Sequence, residues 1–202
     1  MSIMSTISTN EYHFITRWRV QATLEEVNAV LGDAMSLPRW WPSVYLDIKE
    51  IAPGRPDGVG RAISLYTKGW LPYTLKWQFR VSEVHYPYGF SLEAWGDFVG
   101  RGIWTFAQDG DAVAITYDWK IVAEKALLKY LSFIMKPIFA ANHHWAMARG
   151  LESLHLELQL RRAKSPAERR AIPTPPGPSF QLLIRQDVAS SENRESATRL
   201  VG

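Results

Sequence analysis

Apolar and polar residues alternate along most of the chain with a period of two. The first such segment is Tyr12–Val20, where aromatic and aliphatic residues share one side and charged residues share the other. Six further segments follow, and their apolar faces begin at Val44, Ile63, Tyr73, Phe90, Trp104 and Val113. Because this period buries one face and leaves the other in water, it predicts an antiparallel sheet of about seven strands.

Helical patterns occur after the first strand and after the last. Thr23 and Glu26 form a T-x-x-E capping box at the start of a short helix, and a second short turn covers 37–42. The last element is a long helix whose apolar stripe runs from Phe139 to Leu158. Gly150 lies within this stripe and costs about 1 kcal/mol relative to alanine. We therefore expect the helix to approach the sheet or a ligand closely there.

Two turns predict how neighbouring strands pair. Asp109-Gly110 favours a two-residue hairpin turn, and a second turn is centred on Tyr86-Pro87. The first turn predicts the pairs Trp104–Ile115 and Phe106–Val113. The second predicts the pairs Trp77–Gly96, Val81–Leu92 and Arg80–Glu93. Both registers keep apolar residues together on one face.

The composition divides the chain into three parts. From Ala163 the apolar period stops and prolines crowd together. Such a segment buries too little apolar area to offset the entropy of ordering it. We predict a Pro-rich, largely disordered tail over 163–202, with a short contact at Phe180–Ile184. Residues 1–10 are predicted to be flexible, which leaves 11–162 as one domain.

Several classes of function are excluded by composition. Cysteine is absent, which excludes disulfides, thiolate zinc sites and cysteine nucleophiles. The net charge is only +3, and no basic cluster suggests a nucleic-acid partner. No signal peptide or apolar stretch of about 18 residues is visible, so we expect a cytoplasmic protein. The residue patterns suggest no metal site and no cofactor.

The element order is strand, two short helices, six strands and a long helix. Four segments carry a family resemblance: T-L-E-E-V-N-A-V-L, L-P-R-W-W-P, G-R-G-I-W-T-F and N-H-H-W-A-M-A-R-G. With them, residues 10–160 resemble the START-like helix-grip superfamily, which includes polyketide cyclase/dehydrase and lipid-transport-like proteins. The resemblance implies an α+β helix-grip fold, in which a curved antiparallel sheet wraps around the long C-terminal helix. It also implies a small hydrophobic ligand.

The predicted ligand site is the hollow between the sheet and the last helix. It draws on inward-facing residues of the strands and on the helix stripe: Leu65, Tyr73, Trp77, Phe79, Phe90, Leu92, Trp104, Tyr117, Trp119, Phe139, His143 and Met147. His143 is the sharpest candidate, since it can hydrogen-bond a ligand or transfer a proton. A histidine bonded within the core is the alternative. No residue is assigned a catalytic role.

Three kinds of function remain open. The first is binding or transport of a lipid-like or aromatic, polyketide-like ligand in an apolar cavity. The second is a cyclase or dehydratase with His143 and Tyr117 as acid/base partners. This enzyme function is disfavoured because few ionisable residues lie on the inner face. The third is an adaptor. It would act at a membrane surface through 125–139, which is amphipathic and suits either a lid or a membrane contact, or on a protein partner through the tail and Trp95. The oligomeric state is left open.

Overall fold

The computed structural model describes residues 11–124 and 126–179, without the side chains of 123 and 126–135. Seven strands and four α-helices follow one another along this part of the chain, with one short 3-10 helix at Ala34–Ser36. In chain order they are β1 (Glu11–Val20), α1 (Leu24–Leu31), α2 (Leu37–Trp40), β2 (Tyr45–Ala52), β3 (Ala62–Lys68), β4 (Thr74–His85), β5 (Gly89–Gly96), β6 (Phe98–Asp109), β7 (Ala112–Ala123), α3 (Ala126–Arg162) and α4 (Pro166–Ala171).

The strands form one antiparallel sheet in the order β1-β7-β6-β5-β4-β3-β2. Consecutive strands from β2 to β7 are joined by hairpins, and β1 returns to pair with β7. The sheet is curved and open, and the long helix α3 lies against it. The seven-stranded sheet, the two short helices after β1 and the long C-terminal helix were all predicted, and the prediction of the fold is confirmed.

The two predicted hairpin registers have different outcomes. The β4–β5 register is confirmed, with Trp77 opposite Gly96 and Val81 opposite Leu92. The β6–β7 register is wrong by two residues: the observed pairs are Trp104–Tyr117 and Phe106–Ile115.

The reason for the shift lies in the β6–β7 turn. Asp109 pairs with Ala112, so the turn residues are Gly110 and Asp111. Gly110 has a φ of +63° and therefore supplies the positive φ that the first turn position requires. The Gln108 side chain donates to the carbonyls of Gly110 and Ala112, each at 3.0 Å, and holds the turn in this place.

The long helix α3 is unbroken from Ala126 to Arg162 although Pro137 lies inside it. The sequence alone predicts a break near Lys136, because proline suits the first turn of a new helix, and this prediction is wrong. One proline removes a single amide donor from the helical ladder. Burial of the turns that follow, from Phe139 onward, offsets that local cost. Phe139, Met147 and Leu154 are buried, as the predicted apolar stripe requires.

One buried carboxylate joins α3 to α2. Glu157 is 2% exposed and accepts two hydrogen bonds from Arg39, at 2.6 and 2.7 Å. Arg161 donates a third at 2.6 Å. Burial acts to raise the pKa of the Glu157 carboxyl, but the hydrogen bonds from Arg39 and Arg161 outweigh it and leave the pKa lowered. The ionised carboxylate thus fixes α2 against the C-terminal half of α3.

The structure describes the first part of the predicted tail, residues 163–179, which includes the short helix α4. Ser165 caps α4 by accepting from the Glu168 amide at 3.1 Å, and Pro166 occupies the first turn. Further on, the Ser179 hydroxyl donates to the Gly69 carbonyl at 3.1 Å. The predicted flexibility of 1–10 and the predicted contact at Phe180–Ile184 concern residues outside those that the structure describes.

Candidate functional site: an aromatic cavity

A cavity of about 130 Å³ lies between the inner face of the sheet and the first described side chains of α3. Aromatic residues dominate its wall, and a few polar groups interrupt them. The lining residues are Tyr12, Phe14, Trp41, Val44, Tyr45, Thr67, Lys68, Gly69, Tyr73, Leu75, Trp77, Phe98, Tyr117, Trp119, Ile121, Phe139, Asn142, His143, Ala146 and Met147. Strands supply most of this wall because their inner positions alternate with solvent-facing ones.

The central part of the sheet wall is a stack of three rings. Tyr117 is stacked on Trp104 with ring centroids 4.1 Å apart and on Trp119 at 5.6 Å. A Cβ at Gly102 would lie 2.8 Å from the Tyr117 hydroxyl and 3.0 Å from Trp119. The missing side chain at Gly102 thus makes room for both rings. This packing holds Tyr117 in one position at the cavity wall.

Trp77 extends this aromatic wall towards β3. Its ring centroid lies 5.6 Å from that of Trp119 and 6.1 Å from that of Phe98. The indole N–H donates to the Thr67 hydroxyl at 3.1 Å. The polar edge of Trp77 is therefore satisfied within the sheet, and its ring presents an apolar surface to the cavity.

His143 faces the cavity from the opposite side, on α3. Its imidazole is stacked on Phe14, with centroids 4.1 Å apart and planes 15° apart, and Nε2 lies 3.5 Å from the Thr16 hydroxyl. Burial, and then the neighbouring His144, lowers the pKa of His143 to about 4. His143 is therefore neutral near pH 7 and can accept or donate a hydrogen bond.

Asn142 connects the helix to the β3–β4 loop at the edge of the cavity. Its Oδ1 accepts from the backbone amides of Trp70 at 2.9 Å and Leu71 at 3.3 Å. A Cβ at Gly69 would lie 2.1 Å from that oxygen, so only glycine permits this approach. The loop is thereby pinned against α3 beside the cavity.

Trp41 lines the cavity from the segment after α2. It is 3% exposed and packs against Gly150, where a Cβ would lie 2.3 Å from the Trp41 ring. The close approach expected at Gly150 therefore exists, but its partner is an indole ring and neither the sheet nor a ligand. The missing side chain in the helix gives Trp41 its place in the wall.

Burial keeps the phenols of the cavity protonated. It raises the pKa of Tyr45, and it raises that of Tyr117, with smaller contributions from Tyr45 and Asp118. Burial, and then the nearby Tyr12, raises the pKa of Tyr73 to about 12. At neutral pH these hydroxyls therefore carry their protons.

Seven of the predicted site residues line the cavity: Tyr73, Trp77, Tyr117, Trp119, Phe139, His143 and Met147. Five others do not line it: Leu65, Phe79, Phe90, Leu92 and Trp104. These five belong to the hydrophobic core cluster or pack against it. The inner face of the sheet is longer than the cavity, and its other end is filled by side chains.

Sequence reasoning missed several lining residues that the fold brings in. Tyr12 and Phe14 come from β1, which was interpreted only as a core strand. Their alternation on the apolar side of Tyr12–Val20 was the available signal. Trp41 and Asn142 carry no periodic signal, because a loop and a helix contact place them.

The predicted lid or membrane segment, 125–139, is described only in part. Its backbone from 126 onward belongs to α3, but the side chains of 126–135 lie outside the described residues. Phe139 is buried and lines the cavity, whereas Lys136 is exposed, with its ammonium 5.6 Å from the Tyr12 ring centroid. Within the described chain, no helix is long and apolar enough to cross a membrane. The membrane contact stays a prediction.

No family model and no curated protein matches the sequence. Solved structures with the same fold do match. The Zhui aromatase/cyclase from Streptomyces sp. R1128 gives a TM-score of 0.61 at 14% identity, over 76% of this chain and 97% of that chain. The protein TTHA0849 from Thermus thermophilus gives a TM-score of 0.57 at 13% identity, over 75% of this chain and 100% of that chain.

A norcoclaurine synthase from Thalictrum flavum, solved in complex with dopamine and hydroxybenzaldehyde, gives a TM-score of 0.54 at 16% identity, over 82% of this chain and 95% of that chain. At such identities the likeness shows the fold. The chain has the helix-grip fold, as the resemblance predicted. What the cavity does has to be argued from its own residues.

Proposed function

We propose that this protein binds a small aromatic molecule of about one ring in the cavity between the sheet and α3. The observation that carries the proposal is the cavity itself: about 130 Å³, walled by aromatic rings and interrupted by few polar groups. Small-molecule sites in proteins have this composition, with apolar walls for affinity and placed polar groups for orientation.

The volume narrows the class of ligand. A protein cavity of about 150 Å³ lined by apolar residues accepts benzene. The cavity here is slightly smaller, at about 130 Å³. The volume is therefore of the order of one ring, whereas a long acyl chain or a multi-ring polyketide requires the wall to move. The proposal accordingly favours the aromatic branch of the predicted ligands over the lipid-like branch.

The polar groups of the wall support an orienting role. His143 is neutral, and its ring is fixed between Phe14 and Thr16. Asn142 and Thr67 already hold protein donors. The norcoclaurine synthase structure, which contains single-ring compounds, gives this interpretation support from the same fold.

A binding experiment with a one-ring probe tests the proposal. We expect fluorobenzene to bind the wild-type protein with a Kd on the order of 0.1–1 mM, measured by 19F NMR line broadening and calorimetry. Ala146→Phe fills the cavity from α3 and should abolish binding, whereas Ala148→Phe, at an exposed position of the same helix, should preserve it. Equal binding by the two variants would contradict a site in this cavity.

A second candidate is an enzyme of the cyclase or dehydratase type acting on a polyketide-like substrate. The observation in its favour is that His143 and Tyr117 both line the cavity, one as a neutral base and one as a protonated phenol. His143→Gln separates the two functions. An enzyme loses turnover by orders of magnitude with little change in ligand affinity, whereas a binding protein shows a change in affinity only.

A further inference from the structure

We propose that the hydroxyl of Tyr12 is a hydrogen-bond donor for the ligand, so the ligand carries a carbonyl or similar acceptor oxygen on its ring. The inference rests on the proposed binding function and makes it more specific. It adds one residue and one chemical feature of the ligand that the cavity's size and aromatic wall alone do not define.

The hydroxyl of Tyr12 is buried without a partner. The residue is 7% exposed and lines the cavity, and no described group of the protein accepts from or donates to its hydroxyl. Buried polar groups in proteins are almost always paired, so an unpaired one beside a cavity points to a partner supplied by what enters it. A buried donor left without an acceptor is destabilising.

The ring of Tyr12 is held in place on several sides. Its centroid lies 5.9 Å from that of Phe14, in a stacked arrangement, and 6.3 Å from that of Phe139, edge to face. The ammonium of Lys136 lies 5.6 Å from the ring centroid on the outer side. These contacts fix the wall at this point, and the hydroxyl is not free to swing out to solvent.

Three polar groups of the described wall already have partners of their own. The Thr67 hydroxyl accepts from Trp77, and Asn142 Oδ1 accepts from two backbone amides. His143 Nε2 lies by the Thr16 hydroxyl. The described lining also contains no aspartate or glutamate that would take the Tyr12 proton.

The protonation state agrees with a donor role. Burial raises the pKa of the Tyr12 phenol, so the hydroxyl keeps its proton at neutral pH. A phenol O–H donates well to a carbonyl oxygen. An aryl ketone or aldehyde combines the flat ring that fits the aromatic wall with the acceptor that this hydroxyl lacks.

Two ligands of the same shape test the inference. Acetophenone carries a carbonyl where α-methylstyrene carries a methylene group, so they differ in the acceptor alone. Because they also differ in hydration, the ratio of their Kd values is compared between variants. We expect Tyr12→Phe to lower the preference for acetophenone about tenfold relative to the wild type, with the Kd of α-methylstyrene unchanged. Tyr88→Phe, at an exposed phenol, should keep the wild-type ratio.

The outcomes separate the two proposals. An unchanged ratio in Tyr12→Phe would overturn the role of Tyr12 and leave the binding function intact. Failure of both compounds to bind the wild type would overturn the binding function instead. A second measurement does not depend on the affinities: the 13C signal of the bound acetophenone carbonyl should lie further downfield in the wild type than in Tyr12→Phe, and equal shifts would also overturn the hydrogen bond.

Discussion

Acidification should destabilise the folded protein through His143. In the folded state the pKa of this imidazole is about 4, against an ordinary value of 6.5, because burial and the nearby His144 disfavour its charged form. Since the folded pKa is the lower one, the unfolded chain binds a proton first as the pH falls. The contribution of His143 to stability is therefore complete above about pH 6.5 and is lost as the pH falls towards about 4.

The magnitude follows from the two pKa values. At about pH 5 the unfolded imidazole is almost fully protonated and the folded one is mostly neutral, so the free energy of unfolding falls by about 2 kcal/mol relative to about pH 8. His143→Gln removes the titrating group and keeps a polar side chain. The difference in pH dependence between the wild type and this variant isolates His143 from all other groups.

Urea denaturation of both proteins at about pH 8 and about pH 5 measures that difference. We expect the wild type to lose about 2 kcal/mol more than His143→Gln over this range. An NMR titration of the imidazole carbons gives the folded pKa directly. Parallel losses in the two proteins, or a folded pKa near 6.5, would refute the reasoning.

Three further perturbations test the packing around the cavity. Gly150→Ala puts a Cβ 2.3 Å from an indole carbon of Trp41. The cost of this overpacking should exceed the gain of about 1 kcal/mol in helix propensity, so the variant should be less stable to urea than the wild type. A more stable variant would contradict this. Arg39→Met leaves the buried Glu157 carboxylate with fewer hydrogen-bond donors and should lower the free energy of unfolding by about 1–3 kcal/mol. The control Arg149→Met removes an exposed ion pair and should lower it by only about 0–1 kcal/mol. Equal losses in the two variants would refute the reasoning. Asn142→Ala should speed amide hydrogen exchange at the β3–β4 loop, and unchanged exchange would show that its two hydrogen bonds do not hold the loop.

The strands and their inner faces could be predicted from the sequence because side-chain alternation is a local property. The cap of α1 is local too: Thr23 and Glu26 hydrogen-bond each other's backbone within four residues. The β6–β7 hairpin shows where local information ends. A shift of two residues leaves Phe106 and Trp104 on the same face, so the apolar pattern cannot distinguish the two registers, and the turn decides between them.

The tail of the chain illustrates a different limit. Ser165 and Glu168 carry a cap that is visible in the sequence, yet the prolines that follow suggested disorder. Further on, Ser179 hydrogen-bonds Gly69, a residue more than a hundred positions away in the sequence. Composition reports how much apolar area a segment can bury, but it does not report which distant groups lie within reach of it.

The apolar inner face was determined by the sequence, but the place of the cavity on it was decided by the tertiary structure. Trp104 and Tyr117 are equivalent by alternation, yet only Tyr117 lines the cavity, while Trp104 supports it from behind. Tyr12 and Trp41 enter the wall because β1 pairs with β7 at the edge of the sheet and because Gly150 leaves room for an indole ring. A void exists where the facing elements supply too little side-chain volume to fill the space between them. The size of that space depends on the curvature of the sheet and the position of the helix, and no single segment of the sequence encodes either of them.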